Sequence, residues 1–121
     1  MHELAFKRKI IYISQNGSLT SARVPVITAK KIDFLGWIKE GFYCMELESN
    51  NPLVIKLEQD KKGSQCNRAK IYTIEYKVKN GRSRYYYIRL SIRALRLLGL
   101  PSHVIVKISK NRIRLIPLHE P

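Results

Sequence analysis

Acid is what the second half of this chain lacks: between Lys61 and His119 the single carboxylate is Glu75. Residues 61–121 carry 15 Lys+Arg against 2 Asp+Glu, a net of +13, whereas residues 1–60 carry 8 against 7, a net of +1. Such an excess repels itself in the free protein, and a polyanion is its simplest complement. A merely solubilising surface is a poorer account, because added acids serve solubility better than added bases.

Long apolar runs are also missing. None reaches the roughly 18 residues of a membrane-spanning helix, and no long basic amphipathic helix suits a membrane surface. The start, Met1-His2-Glu3-Leu4, lacks the apolar segment of a signal peptide, so the expectation is a cytoplasmic, nucleoid-associated protein. Hydrophobic residues still make up 45% of the 121, enough material for a core.

Cysteine is scarce and unclustered. Cys44 and Cys66 form no Cys-x-x-Cys, and His2, His103 and His119 are scattered, so neither a zinc site nor another cofactor is expected. Both thiols are expected reduced, with Cys44 a small buried residue. Catalytic patterns are missing too: the two aspartates, Asp33 and Asp60, are isolated, Glu46 and Glu48 belong to a strand pattern, and no nucleophile elbow, P-loop or His-Glu-x-x-His occurs. An enzyme is not expected.

What is present is hairpin grammar. Ile71 to Lys79 and Arg84 to Leu90 flank Asn80-Gly81, a dipeptide suited to the two positive-φ positions of a type I′ turn. Tyr72, Ile74, Tyr76 and Val78 alternate with polar neighbours at period two. Ser91 can then cap a short helix through Ile92, Ala94, Leu95 and Leu98, ended by Gly99 before Pro101. Val104 to Ile108 and Ile113 to Pro117, around Lys110-Asn111, make a closing hairpin.

The first half repeats this order. Ile10 to Ser14 and Leu19 to Val24 flank Gln15-Asn16-Gly17-Ser18, and Pro25 suits a strand-to-helix junction. A short helix through Ala29, Ile32 and Leu35 ends at Gly36, then Phe42 to Glu48 and Leu53 to Leu57 pair around Asn50-Asn51-Pro52. Asn16-Gly17 and Asn80-Gly81 lie 64 residues apart, Gly36 and Gly99 63. The expected organisation is a first unit at 1–58, a polar linker at 59–69 and a strongly basic second unit at 70–121. Each unit is too small for much core of its own, so the two should pack together or pair with another chain.

The run Ile88-Arg89-Leu90-Ser91-Ile92-Arg93-Ala94-Leu95-Arg96-Leu97-Leu98-Gly99-Leu100, with Val104 to Ile108 and Ile113 to Pro117, resembles the AbrB/SpoVT-like swapped-hairpin family of transition-state regulators and antitoxins. Val24-Pro25, Lys31 to Gly36 and the hairpin after Gly41 resemble a weaker first copy. Ser91 stands where the family usually has proline, and Leu95 where a second helix arginine is expected. The resemblance implies a mainly β protein with short helices (α+β), tandem hairpin/helix/hairpin repeats forming a swapped-hairpin barrel. It also implies duplex DNA binding and transcription regulation, commonly as a homodimer, with Arg82 and Arg96 at the family's contact positions.

Read from the residues alone, Lys77, Lys79, Arg82, Arg84 and Arg89 on the hairpin and Arg93 and Arg96 on the helix form the expected DNA-binding face. Arginine makes bidentate bonds to phosphate and to guanine O6/N7, which suits groove recognition. Lys7, Arg8 and Lys9 are a basic run before the first strand, free to fray or to reach phosphates; Arg23, Lys30 and Lys31 are secondary contacts. Of Tyr85, Tyr86 and Tyr87, alternation sends Tyr86 to one face and its neighbours to the other, so packing is expected before base stacking. Trp37 is expected to cover the end of the first helix. Two rival readings are an antitoxin-like module whose neutral half grips a protein partner, and a coating protein for RNA or chromatin.

Overall fold

Asn16 and Gly17 both take positive φ, 53° and 80°, and reverse the chain in two residues, so Gln15 pairs with Ser18. The computed structural model describes residues 3–32, 38–48, 54–59, 67–109 and 112–119. In chain order its elements are β1 (Leu4–Lys9), β2 (Ile11–Gln15), β3 (Ser18–Thr28), α1 (Ala29–Ile32), β4 (Gly41–Glu48), β5 (Val54–Gln59), β6 (Asn67–Val78), β7 (Gly81–Ser91), α2 (Ile92–Leu97), β8 (His103–Ser109) and β9 (Arg112–Leu118). The protein is mainly β with short helices.

Neighbouring strands are all antiparallel, in the order β1-β8-β9-β5-β4-β6-β7-β3-β2. The two halves therefore interleave: β1 pairs with β8, β3 with β7, β4 with β6 and β5 with β9. An approximate two-fold relates them. Val24 lies opposite Ile88 and Lys56 opposite Arg114, the registers at which each repeat meets its counterpart. Neither repeat has a sheet of its own, as its small size requires.

The order is open and does not form a closed barrel. Its two end strands, β1 and β2, are nevertheless consecutive in the chain and joined through Ile10. Ile10 N–H donates to the Ser102 carbonyl at 3.0 Å, and the Tyr12 hydroxyl donates to the Pro101 carbonyl at 2.5 Å. Arg8 Nε donates to the Val26 carbonyl at 3.1 Å. The seam is thus tied down by polar contacts around a buried Ile10.

Alternation fills the interior from β3, β6, β7, β8 and β9. Val24, Ile88, Val104, Val106, Ile108, Ile113 and Leu115 are 0% exposed, joined by Ile71, Leu90 and Val26. Fully burying each such side chain is worth about 1.5–3 kcal/mol before chain entropy is charged against it. In α2 the Ser91 hydroxyl accepts from Ala94 N–H at 3.3 Å, as the cap reading expects. The helix ends with Gly99 N–H on the Arg96 carbonyl and Leu100 N–H on the Leu95 carbonyl, Gly99 supplying the positive φ of 83° that this ending needs. Leu95 is wholly buried, which accounts for an apolar residue where the resemblance leads one to expect arginine.

Several expectations are corrected. Lys7-Arg8-Lys9 is not a fraying tail but part of β1, with Leu4, Phe6 and Arg8 turned inward and Lys7 and Lys9 outward. Pro25 does not end its strand: β3 continues to Thr28 across a register shift, the irregularity at which a residue without an N–H fits. In the second hairpin Val78 pairs with Gly81, so Lys79 and Asn80 are the central residues and neither has positive φ; Asn80-Gly81 is not a type I′ pair. Gln59 belongs to β5 and Asn67 to Ala69 to β6, so the expected linker is shorter at both ends. Cys44 is disulfide-bonded, not reduced, and the chain's other cysteine is Cys66. The expectations for Leu35, Gly36, Trp37, Cys66 and the two closing turns lie outside the described residues.

Candidate nucleic-acid interface

The β6–β7 hairpin projects past the core. From Ile74 to Arg84 every residue except the half-buried Ser83 is exposed, so this stretch is a two-stranded ribbon with solvent on both faces. Lys77 lies opposite Arg82 and Glu75 opposite Arg84, and these pairs share one face, with Lys79 in the turn at the tip. Arg82 Nη1 is 3.5 Å from a Glu75 oxygen, both side chains well exposed, an ion pair worth about 0–1 kcal/mol. The opposite face of the ribbon carries Ile74, Tyr76 and Val78, all exposed apolar groups.

Its counterpart in the first repeat serves as an internal control. Ser14 to Thr20 forms the equivalent hairpin tip, equally exposed, and contains no charged residue. The hairpin shape therefore does not call for cations; Lys77, Lys79, Arg82 and Arg84 are additions to it.

The expected face does not hold together as one surface. Arg89 belongs to the other side of β7, where it lies opposite Arg23 of β3 and Lys70 of β6. Arg93 and Arg96 are exposed on α2 and Lys30 and Lys31 on α1, both helices packing against β3 and β7. Arg8 is half-buried, its guanidinium 4.8 Å from the Phe6 ring centre, and is a seam residue rather than a surface contact. Lys7 and Lys9 face outward on β1 beside β8, whose outward Lys107 lies opposite Arg114.

Sequence reasoning missed Lys70. Its partners on the outer face come from four other strands, a row reading Ile11, Arg23, Arg89, Lys70, Phe42. Beside it Tyr72 stacks on Tyr87 at 5.8 Å, and Tyr85 tilts against Tyr87 at 5.5 Å. Tyr86 is buried on the inner face, as alternation expects.

Glu40 lies near this region, accepting from both the N–H and the hydroxyl of Thr73, at 2.8 and 2.5 Å. The hydroxyl bond first, then the backbone bond, holds its carboxyl below the ordinary glutamate value, with Arg84 and Lys70 adding attraction. Burial pushes the Tyr43 and Tyr12 hydroxyls up. Among the described residues no group of three His, Cys, Asp or Glu could hold a metal ion, and no helix is long and apolar enough to cross a membrane.

No family model, curated protein or solved structure matches this chain.

Proposed function

We propose that the protein binds duplex DNA by laying the β6–β7 ribbon into a groove, as a small transcription regulator of the swapped-hairpin, AbrB-like type. The carrying observation is the contrast between equivalent hairpins: one neutral, one with four cations at the tip and a single partly compensating Glu75. A B-DNA major groove about 12 Å wide admits a two-stranded ribbon, arginines there reach phosphates and guanine edges, and exposed apolar groups meet thymine methyls. Phosphate contacts supply most of the affinity.

The interleaved halves and their approximate two-fold support the swapped-hairpin part of this reading. Because the repeats differ in charge, one chain offers one basic ribbon, and a homodimer would offer two. Arg93 and Arg96 on α2 add flanking phosphate contacts. The role is binding, not catalysis, in the cytoplasm on the nucleoid.

The test is a salt titration of the chain against specific-candidate and random duplexes, single strands and RNA. A regulator keeps a preference for some duplexes as salt rises. An RNA- or chromatin-coating protein loses all its ligands together, and an antitoxin-like module co-purifies with a protein partner; either result overturns the proposal.

A further inference from the structure

The row on the outer face has a feature that the ribbon does not share. Arg23, Arg89 and Lys70 occupy directly opposite positions on three adjacent strands, with no acid between them. Like charges directly opposite one another destabilise a sheet. Partial relief comes from rings: the Arg23 guanidinium lies 5.9 Å from the Tyr87 centre and Lys70 Nζ 5.8 Å from that of Phe42. This leaves the donors themselves unaccounted for.

Those three cations ring a depression of about 310 Å³, with Ser21, Gln15 and Tyr72 also in its wall. Two of its wall residues each hold a buried polar atom without a hydrogen-bond partner, Ser21 Oγ and Arg23 Nε. A buried donor left unmade costs free energy, and such exceptions ask for an acceptor. Three cations at one concavity, two of them arginines, suit an oxyanion with several acceptor oxygens, which a phosphoryl group supplies. The volume falls at the lower end of small-ligand pockets, about 300–1,000 Å³, the scale of one small ligand.

We infer that this depression binds a nucleoside phosphate, the phosphoryl group held by Arg23, Arg89 and Lys70 and the base set against the Tyr72 ring. Tyr72 is braced from behind by Tyr87, which keeps its ring in place. The ligand is a free nucleotide or one nucleotide of a single strand; the chemistry recognised is the same. The site stands apart from the ribbon tip and does not depend on the duplex reading.

The experiment is fluorescence anisotropy of the full chain with labelled oligo(dT) of twelve nucleotides and with a labelled random duplex, competed by thymidine monophosphate or inorganic phosphate. Lys70→Gln is the first variant, because Lys70 is exposed and its replacement spares the core. Arg23→Gln with Arg89→Gln is the second, its fold checked by circular dichroism. Each should weaken the oligo(dT) or the mononucleotide about tenfold or more while moving the duplex less than about threefold, one lost charge-assisted contact being worth roughly a factor of ten. Lys77→Gln with Arg82→Gln should do the reverse. Oligo(dT) at least tenfold tighter than the mononucleotide identifies a strand as the source, and comparable binding of the two a free nucleotide. Inorganic phosphate competing as well as the mononucleotide, or a pocket variant that leaves both nucleotide ligands unchanged, overturns the inference.

Discussion

Replacing Lys77, Lys79, Arg82 and Arg84 together by glutamine removes the ribbon's cations and touches nothing in the core, since all four are exposed. If each meets one phosphate, the slope of log K against log salt should become shallower by about 3.6, at about 0.9 per contact. Between 50 and 200 mM salt, those four contacts correspond to roughly a hundredfold of the unmodified protein's affinity loss. The Glu75 pairing of Arg82 is weak enough to leave this figure standing. The assay is anisotropy of a labelled duplex at several salt concentrations, with thermal melting alongside. Melting should stay the same or rise slightly, because like charges are being removed. A slope unchanged by the four substitutions would refute the reasoning, for it would show that the ribbon touches no phosphate.

Other consequences concern the scaffold. Leu95→Ala, at a fully buried position where α2 meets the core, should cost about 2–5 kcal/mol in urea unfolding. Tyr43→Phe removes a hydroxyl that donates to the Lys39 carbonyl at 2.7 Å and accepts from the Lys39 N–H at 2.9 Å, and should cost about 1 kcal/mol in the same measurement. Glu40 has its folded pKa below its ordinary value of 4.5, so its contribution is present above that pH and is lost as pH falls through the folded value. Glu40→Gln should therefore lower stability at neutral pH, leave it nearly unmoved at low pH where that contribution is already lost, and so flatten the acid limb of a stability-versus-pH curve; an unchanged acid limb would show that the Thr73 bonds carry no linkage.

Local grammar carried much of the fold. The Ser91 cap, the glycine ending of α2, the alternation of β6 to β9 and the tandem order are all short-range signals, and each appears in the structure. What stayed hidden depended on distant partners. β1 has a period-two pattern in Leu4, Phe6 and Arg8, but an inward arginine disguises it until Phe6 and the Val26 carbonyl are there to receive the guanidinium. Pro25 read as a strand end because the register shift that accommodates it is set by β7. Gly81 was one place off because turn position depends on which residues pair, not on the dipeptide alone.

The site was legible in composition and only partly in position. Lys77, Arg82 and Arg84 do share one face, as alternation across a hairpin requires. Arg89 and Arg23 belong to a different face, together with Lys70, a grouping that strand order alone creates. Cys44 read as a reduced, buried thiol because cysteine spacing says nothing about which strands meet.

The most direct test of the ribbon as the DNA-binding element is site-specific photo-crosslinking, with benzoylphenylalanine placed at Asn80 in one protein and at Asn16, on the equivalent neutral tip, in another. The ribbon account expects efficient crosslinking to duplex DNA from position 80 and little from position 16. Equal yields from both tips, or a crosslink from position 16 alone, would contradict it.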